Sequence, residues 1–179
     1  KQDCTFDGDL DADKPIEISC DWGGNINCMV VCQEKSRSFN IINSFFVKHP
    51  EGIQQLAQKF NDYYRPHKVR GLKFYYDPSG NNKLGNSPET MAEEFARHLR
   101  SGGWMVELMS YGMHNNPLYE LRYELFKHIL QPGKLHNPRY PQLFINSGNC
   151  KEVIISMMDA PLRKFDKKLK KDKRSEKPG

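Results

Sequence analysis

The 179-residue chain lacks several things, and each absence narrows what it can be. No apolar run approaches the roughly 20 residues a membrane-spanning helix needs. The first residues, with Asp3, Asp7, Asp9, Asp11 and Asp13, are the opposite of a cationic signal peptide, so a cytoplasmic protein is expected. Cysteines are few and odd in number: five, of which Cys20, Cys28 and Cys32 lie in apolar stretches where a free thiol serves as a small core residue. No Cys or His pairs stand at zinc-ligand spacing. No Gly-x-x-x-x-Gly-Lys-Ser/Thr loop is present to cradle nucleotide phosphates. There is no internal repeat. Redox scaffold, zinc module and nucleotide motor are thereby set aside.

What is present is, first, an uneven charge. The chain carries +5 overall, but from Leu162 onward nine Lys or Arg face three acids, so that segment alone holds a surplus of six and the remainder is slightly acidic. Such a run is either a solvated tail or the footprint of a polyanionic partner. Residues 1–161 are therefore read as one domain with a 1–15 acidic leader, and residues 162–179 as a basic, flexible tail.

Hydrophobic periodicity orders the domain. Ile16 to Cys20, Ile26 to Gln33 and Phe39 to Val47 read as three sequential strands with short links, the first link turning at Gly23-Gly24. Ile53, Leu56, Ala57, Phe60 and Tyr64 mark one face of a helix that Pro66 ends. Val69 to Tyr76 is a fourth strand. Ser87 as N-cap with Pro88 behind it, and Gly102-Gly103 as the stop, bracket a second helix bearing Met91, Ala92, Phe95 and Leu99. Trp104 to Met109 is a fifth strand, Leu118 to Ile129 a third helix, and Leu143 to Ile145 a short apolar segment. A last helix carries Cys150, Ile154, Met157 and Met158 toward the core, with the methionines as filler. Three antiparallel strands followed by alternating helices and parallel strands is a ribonuclease H-like order, an α/β fold with a mixed sheet in which the first and fourth strands lie side by side.

That adjacency gives two aspartates a meaning. Asp21 follows the first strand and Asp77 the fourth, each where a buried strand meets a loop, the usual place for ligand sites in an α/β sheet. Taken singly, either one could merely open an Asx turn. Together they would repel one another unless they shared a proton or a cation, and their hard oxygens favour Mg²⁺ or Mn²⁺. His114 reads as a surface-loop histidine and Trp22 as a core anchor. Lys68, Arg70, Lys83 and the tail residues Lys167, Lys168, Lys170 and Lys171 are candidate phosphate contacts, which would position a nucleic acid without reading its sequence.

Asp21-Trp22-Gly23-Gly24-Asn25-Ile26-Asn27, Ser44-Phe45-Phe46-Val47, Tyr75-Tyr76-Asp77, Leu143-Phe144-Ile145-Asn146 with Cys150, and the basic run from Lys171 to Lys177 together resemble the C-terminal nuclease domain of the large terminase subunit of tailed bacteriophages. The resemblance covers nearly the whole chain. It implies an endonuclease that cuts concatemeric double-stranded viral DNA during genome packaging, in the host cytoplasm. Asp21 would bridge two Mg²⁺ or Mn²⁺ ions and Asp77 would bind one, and the partners would be the terminase ATPase domain, the small terminase subunit and the portal. It also implies a third acid, commonly in a His-x-x-Asp-Ala-like stretch, and none follows the basic run. Either the chain shown stops before that acid, or Asp159, Asp166 or Asp172 replaces it. A non-catalytic nucleic-acid-binding or assembly module of the same fold, or a junction resolvase-like nuclease, are the rival readings.

Overall fold

A computed structural model describes residues 4–6, 8–83, 85, 87–131 and 137–159, together with the backbone of two strands at Leu162–Phe165 and Lys168–Lys171. Its centre is a mixed seven-stranded sheet. In chain order the strands are β1 (Thr5–Phe6), β2 (Ile16–Trp22), β3 (Ile26–Lys35), β4 (Ser38–Lys48), β5 (Gly71–Tyr76), β6 (Met105–Leu108) and β7 (Gln142–Asn146), and across the sheet they run β1-β7-β4-β3-β2-β5-β6. β2, β3 and β4 form the expected antiparallel meander, while β5 joins β2 and β6 joins β5 in parallel. The predicted side-by-side pairing of the first and fourth long strands is present. The fold class is the ribonuclease H-like one.

Helices α1 (Ile53–Tyr63) and α2 (Met91–Ser101) cover one face of the sheet. Their apolar stripes, Leu56, Ala57 and Phe60 on α1 and Ala92, Phe95, Ala96 and Leu99 on α2, are fully buried against Ile16, Ile18, Met29, Val31, Ile42, Leu72 and Phe74. Alternation along β2 and β5 puts Cys20 and Tyr76 on this covered face and leaves Glu17, Ser19, Asp21, Lys73 and Tyr75 on the other. A bulge opposite Val31 and Cys32 inserts Ile42 into β4, so that Ile42 joins the main core while Ile41 and Phe39 turn to the second face. There they pack with Leu143, Ile145 and Cys150 beneath the end of α3 (Tyr119–Ile129) and the start of α4 (Lys151–Asp159).

The acidic leader is pinned rather than loose. Gln33, completely buried, accepts from the Asp11 N–H at 2.8 Å and donates to the Asp11 and Lys14 carbonyls, and His67 meets the Lys14 carbonyl at 3.0 Å. β1 then adds to the sheet edge beside β7. Neither feature shows in the turn-rich composition of that segment.

Four expectations need correction. Asp21 lies inside β2, paired with Cys28, because the strand runs on to Trp22. The second helix is capped by Thr90, not Ser87: Thr90 accepts the Glu93 N–H while the Glu93 carboxylate accepts the Thr90 N–H at 2.8 Å, a reciprocal arrangement that Ser87 has no Glu or Gln to complete. The Cys150 stripe does not face the core throughout. Val153 and Ile154 pack on the second core, which takes no residue further along α4 among those described, so Met157 and Met158 are exposed. The Leu143 segment is a true strand, paired in parallel with β4. In the basic run, β8 (Leu162–Phe165) and β9 (Lys168–Lys171) pair antiparallel with each other. Cys20, Cys28, Cys32 and Cys150 are free thiols, and burial raises the Cys150 thiol to about 11.

Thr90→Ala should lower stability by about 1 kcal/mol in urea unfolding at neutral pH, the usual cost of a lost N-cap. The bonds from Thr90 hold the Glu93 carboxyl below the ordinary carboxylate range. Its contribution is therefore complete above the unfolded value of roughly 4.3 and lost as pH falls through the lower folded value, so the stability gap between wild type and Glu93→Ala should narrow in acid. Gly80→Ala should cost about 1–3 kcal/mol, since a Cβ there would stand 2.7 Å from the Tyr76 ring and 3.0 Å from Trp22 Nε1. Unchanged thermal unfolding of that variant would refute the close packing.

Candidate functional site

The register of β2 with β5 builds the site. Ile16 pairs with Leu72 and the match continues in step to Cys20 and Tyr76 on two neighbouring parallel strands about 4.8 Å apart, so Asp21, still inside β2, and Asp77, the first residue beyond β5, each follow the last registered pair. Both line one open cavity of about 280 Å³, with Ser19, Cys20, Tyr75, Tyr76, Asn116 and Arg122. The two aspartates singled out in the sequence are thus brought together.

Their surroundings differ. Asp21 is exposed, with the Cys28 thiol of the adjacent strand 3.8 Å from its backbone carbonyl. Asp77 is held on both oxygens. Oδ1 accepts the Ser79 N–H at 2.9 Å, capping the 3₁₀ helix Pro78–Asn81, and Oδ2 accepts from the Asn116 amide. The Asn116 bond, then the Ser79 backbone bond and more weakly the Arg122 charge, hold the Asp77 carboxyl below its ordinary range, so it stays ionised near neutrality. The Asx-turn reading and the ligand reading of Asp77 are compatible in one geometry.

Asn116 reaches Asp77 because a clasp holds its loop. Asn81 accepts from the Tyr76 hydroxyl at 3.1 Å and donates to the carbonyls of Ser110 and Met113, while Ser110 Oγ accepts the Tyr76 N–H at 3.0 Å. The segment after β6 is thereby tied to the turn after β5. Trp22 supports the turn from below as a core anchor, edge-on to Phe95 at 5.1 Å and to Phe74 at 6.2 Å. Asn81, Ser110, Asn116 and Arg122 do not stand out in the sequence. The one signal for them is position: Asn81 and Asn116 both lie in segments that follow the carboxyl ends of adjacent parallel strands.

The basic candidates fall elsewhere. Lys68 is exposed, and Arg70 sits at the opposite end of β5 from Asp77, its guanidinium 5.1 Å from the Trp104 ring and bonded to the Arg65 carbonyl. Lys83 is exposed just beyond the 3₁₀ helix. Lys167, Asp166 and Asp172, and the side chains of Lys168, Lys170 and Lys171, lie outside the described residues. Asp159 ends α4, exposed and away from the lining of the cavity. His114 is exposed in the loop after β6.

Two carboxylates lining one cavity, one of them oriented by hydrogen bonds to both oxygens, suit a hard divalent cation such as Mg²⁺, which is commonly held by one or two carboxylates plus water and substrate phosphate. Among the described residues no group of three His, Cys, Asp or Glu converges on a single point.

No protein-family model and no curated protein matches the chain. Solved structures do. The large terminase of a thermophilic bacteriophage superposes with a TM-score of 0.57 at 14% identity over 96% of this chain and 39% of that one, and its complex with ADP gives 0.58 over the same shares. The human cytomegalovirus terminase nuclease domain, Mn-soaked with inhibitor bound, superposes with a TM-score of 0.53 at 7% identity over 82% of this chain and 75% of that one. The chain spans about two fifths of the phage terminase's length, and its fold is that of the terminase nuclease domains.

Proposed function

We propose that this chain is a divalent-metal-dependent endonuclease domain that cuts double-stranded viral DNA during genome packaging. The observation that carries the reading is that Asp21, near the end of β2, and Asp77, just after the adjacent parallel strand β5, line one open cavity in a fold shared with the cytomegalovirus terminase nuclease domain. Asp21 and Asp77 would hold Mg²⁺ or Mn²⁺. When bound, such ions polarise a phosphodiester and lower the pKa of a water molecule, which supplies the nucleophile for hydrolysis. The protein's own part is positional. Asn116 and the Ser79 N–H fix the Asp77 carboxylate, and the open cavity admits a strand from solvent.

The wider assembly follows from the same reading: a terminase ATPase domain, the small subunit and the portal as partners, in the host cytoplasm. Among the described residues no helix is long and apolar enough to cross a membrane. The rival, a DNA-binding module of this fold without catalysis, draws on one observation, the lack of a third converging ligand among the described residues.

Incubation of supercoiled plasmid with Mn²⁺ decides between them. Nicking that disappears in Asp21→Asn and in Asp77→Asn, with unchanged circular dichroism, is the expected outcome. Retained cleavage in either variant refutes the metal assignment, and absence of cleavage by the wild-type chain favours the binding module. A second expectation concerns the basic run. Replacing Lys167, Lys168, Lys170 and Lys171 by Ala should weaken duplex binding for all sequences alike and flatten the slope of log K against log salt by about 0.9 per phosphate neutralised. An unchanged slope would mark that run as a solvated segment.

A further inference from the structure

The candidate cavity has an electrostatic problem. The two carboxylates that line it repel the phosphates of any nucleic acid before a metal ion joins them. One cation lines the same cavity: Arg122, in the first turns of α3. It is exposed, and its guanidinium lies 5.9 Å from the Tyr119 ring. Among the described residues it has no carboxylate within ion-pair distance, whereas Lys59, Arg65, Lys73, Arg97 and Lys127 are each paired with an acid. Arg70, just before β5, is committed to Trp104 and the Arg65 carbonyl.

We infer that Arg122 is a substrate-binding residue that receives a backbone phosphate of duplex DNA beside the Asp21–Asp77 pair. The inference deepens the nuclease reading and rests on it for the identity of the substrate. Its chemistry is specific. A guanidinium presents a planar fork of N–H donors that matches two phosphate oxygens, stays charged at every relevant pH, and is weakly hydrated, so it gives up water readily. Its anchorage is independent of the acids. The far end of α3 is fastened to the second core through Ile129 and Leu130, and the Arg122 N–H bonds the Leu118 carbonyl at 3.2 Å, so the helix positions the side chain from outside the β5 turn. A phosphate received there would lie in the cavity that Asp21 and Asp77 also line.

The test is metal-free binding of a short fluorescein-labelled duplex, followed by anisotropy in EDTA across a salt series. Arg122→Ala should weaken binding several-fold and flatten the log K against log salt slope by about 0.9, the value of one phosphate contact. Arg122→Lys should keep the slope while recovering only part of the affinity. The same pair of measurements in an Asp77→Asn background separates phosphate contact from mere support of Asp77. A contact persists there, and an effect that vanishes with Asp77 overturns the inference. It is also overturned if Arg122→Ala binds like wild type, or if the wild-type chain does not bind duplex at all. Because no metal is present, the result is independent of cleavage: an Arg122 effect without Mn²⁺-dependent nicking would fell the nuclease reading alone, and nicking without an Arg122 effect would fell this inference alone.

Discussion

The in-register parallel pairing of β2 with β5 is the constraint on which the rest depends. A one-residue slip in a strand exchanges its two faces, sending Ile16, Ile18 and Cys20 out of the core and Glu17 and Asp21 into it. The main core forbids that slip, because these side chains are interlocked with Phe74, Phe95 and Leu99 under α1 and α2. The placement of the two aspartates is thus enforced from the opposite side of the sheet. Lys73 and Glu17, paired across the same two strands at 3.2 Å, give the buried Glu17 carboxylate its cation in the same register.

On this frame the site is assembled from loops, and hydrogen bonds replace packing as the organising force. Asp77 serves two tasks, as cap of the 3₁₀ helix and as cavity carboxylate, without conflict, since each carboxylate oxygen has a lone pair left after accepting one bond. Asp21, by contrast, is an exposed strand residue with the Cys28 thiol beside its backbone carbonyl. The asymmetry between the two acids is built into the local chain: a Pro-Ser-Gly turn follows one, and a Trp-Gly-Gly hairpin follows the other.

The long strands, α1 and the side-by-side pairing of the first and fourth long strands are legible in the sequence because each rests on periodicity or on topology rules with few alternatives, whereas the places of β1 and β7 in the sheet are not. The cap of α2 is displaced by three residues from its expected place because Ser87-Pro88 offers a valid local start, and only the reciprocal bond with Glu93 decides for Thr90. The exposed end of α4 escapes a sequence reading because an apolar stripe does not reveal how far the sheet extends beneath it. Asn116 and Arg122 stay hidden for another reason. Neutral amides and single arginines carry no periodic signature, and the role of Asn116 comes from a fold-back between segments 39 residues apart in the chain.

The Asn81 clasp has a geometric consequence. By fastening the Met113 carbonyl, it sets a fixed origin from which His114 and Asn115 span the distance to Asn116, and so to Asp77. The stretch between Met113 and Asn116 behaves as a ruler. Its side chains are free to vary, but its length is not: one residue more or fewer would leave the core, the clasp and both carboxylates in place while carrying the amide past its target.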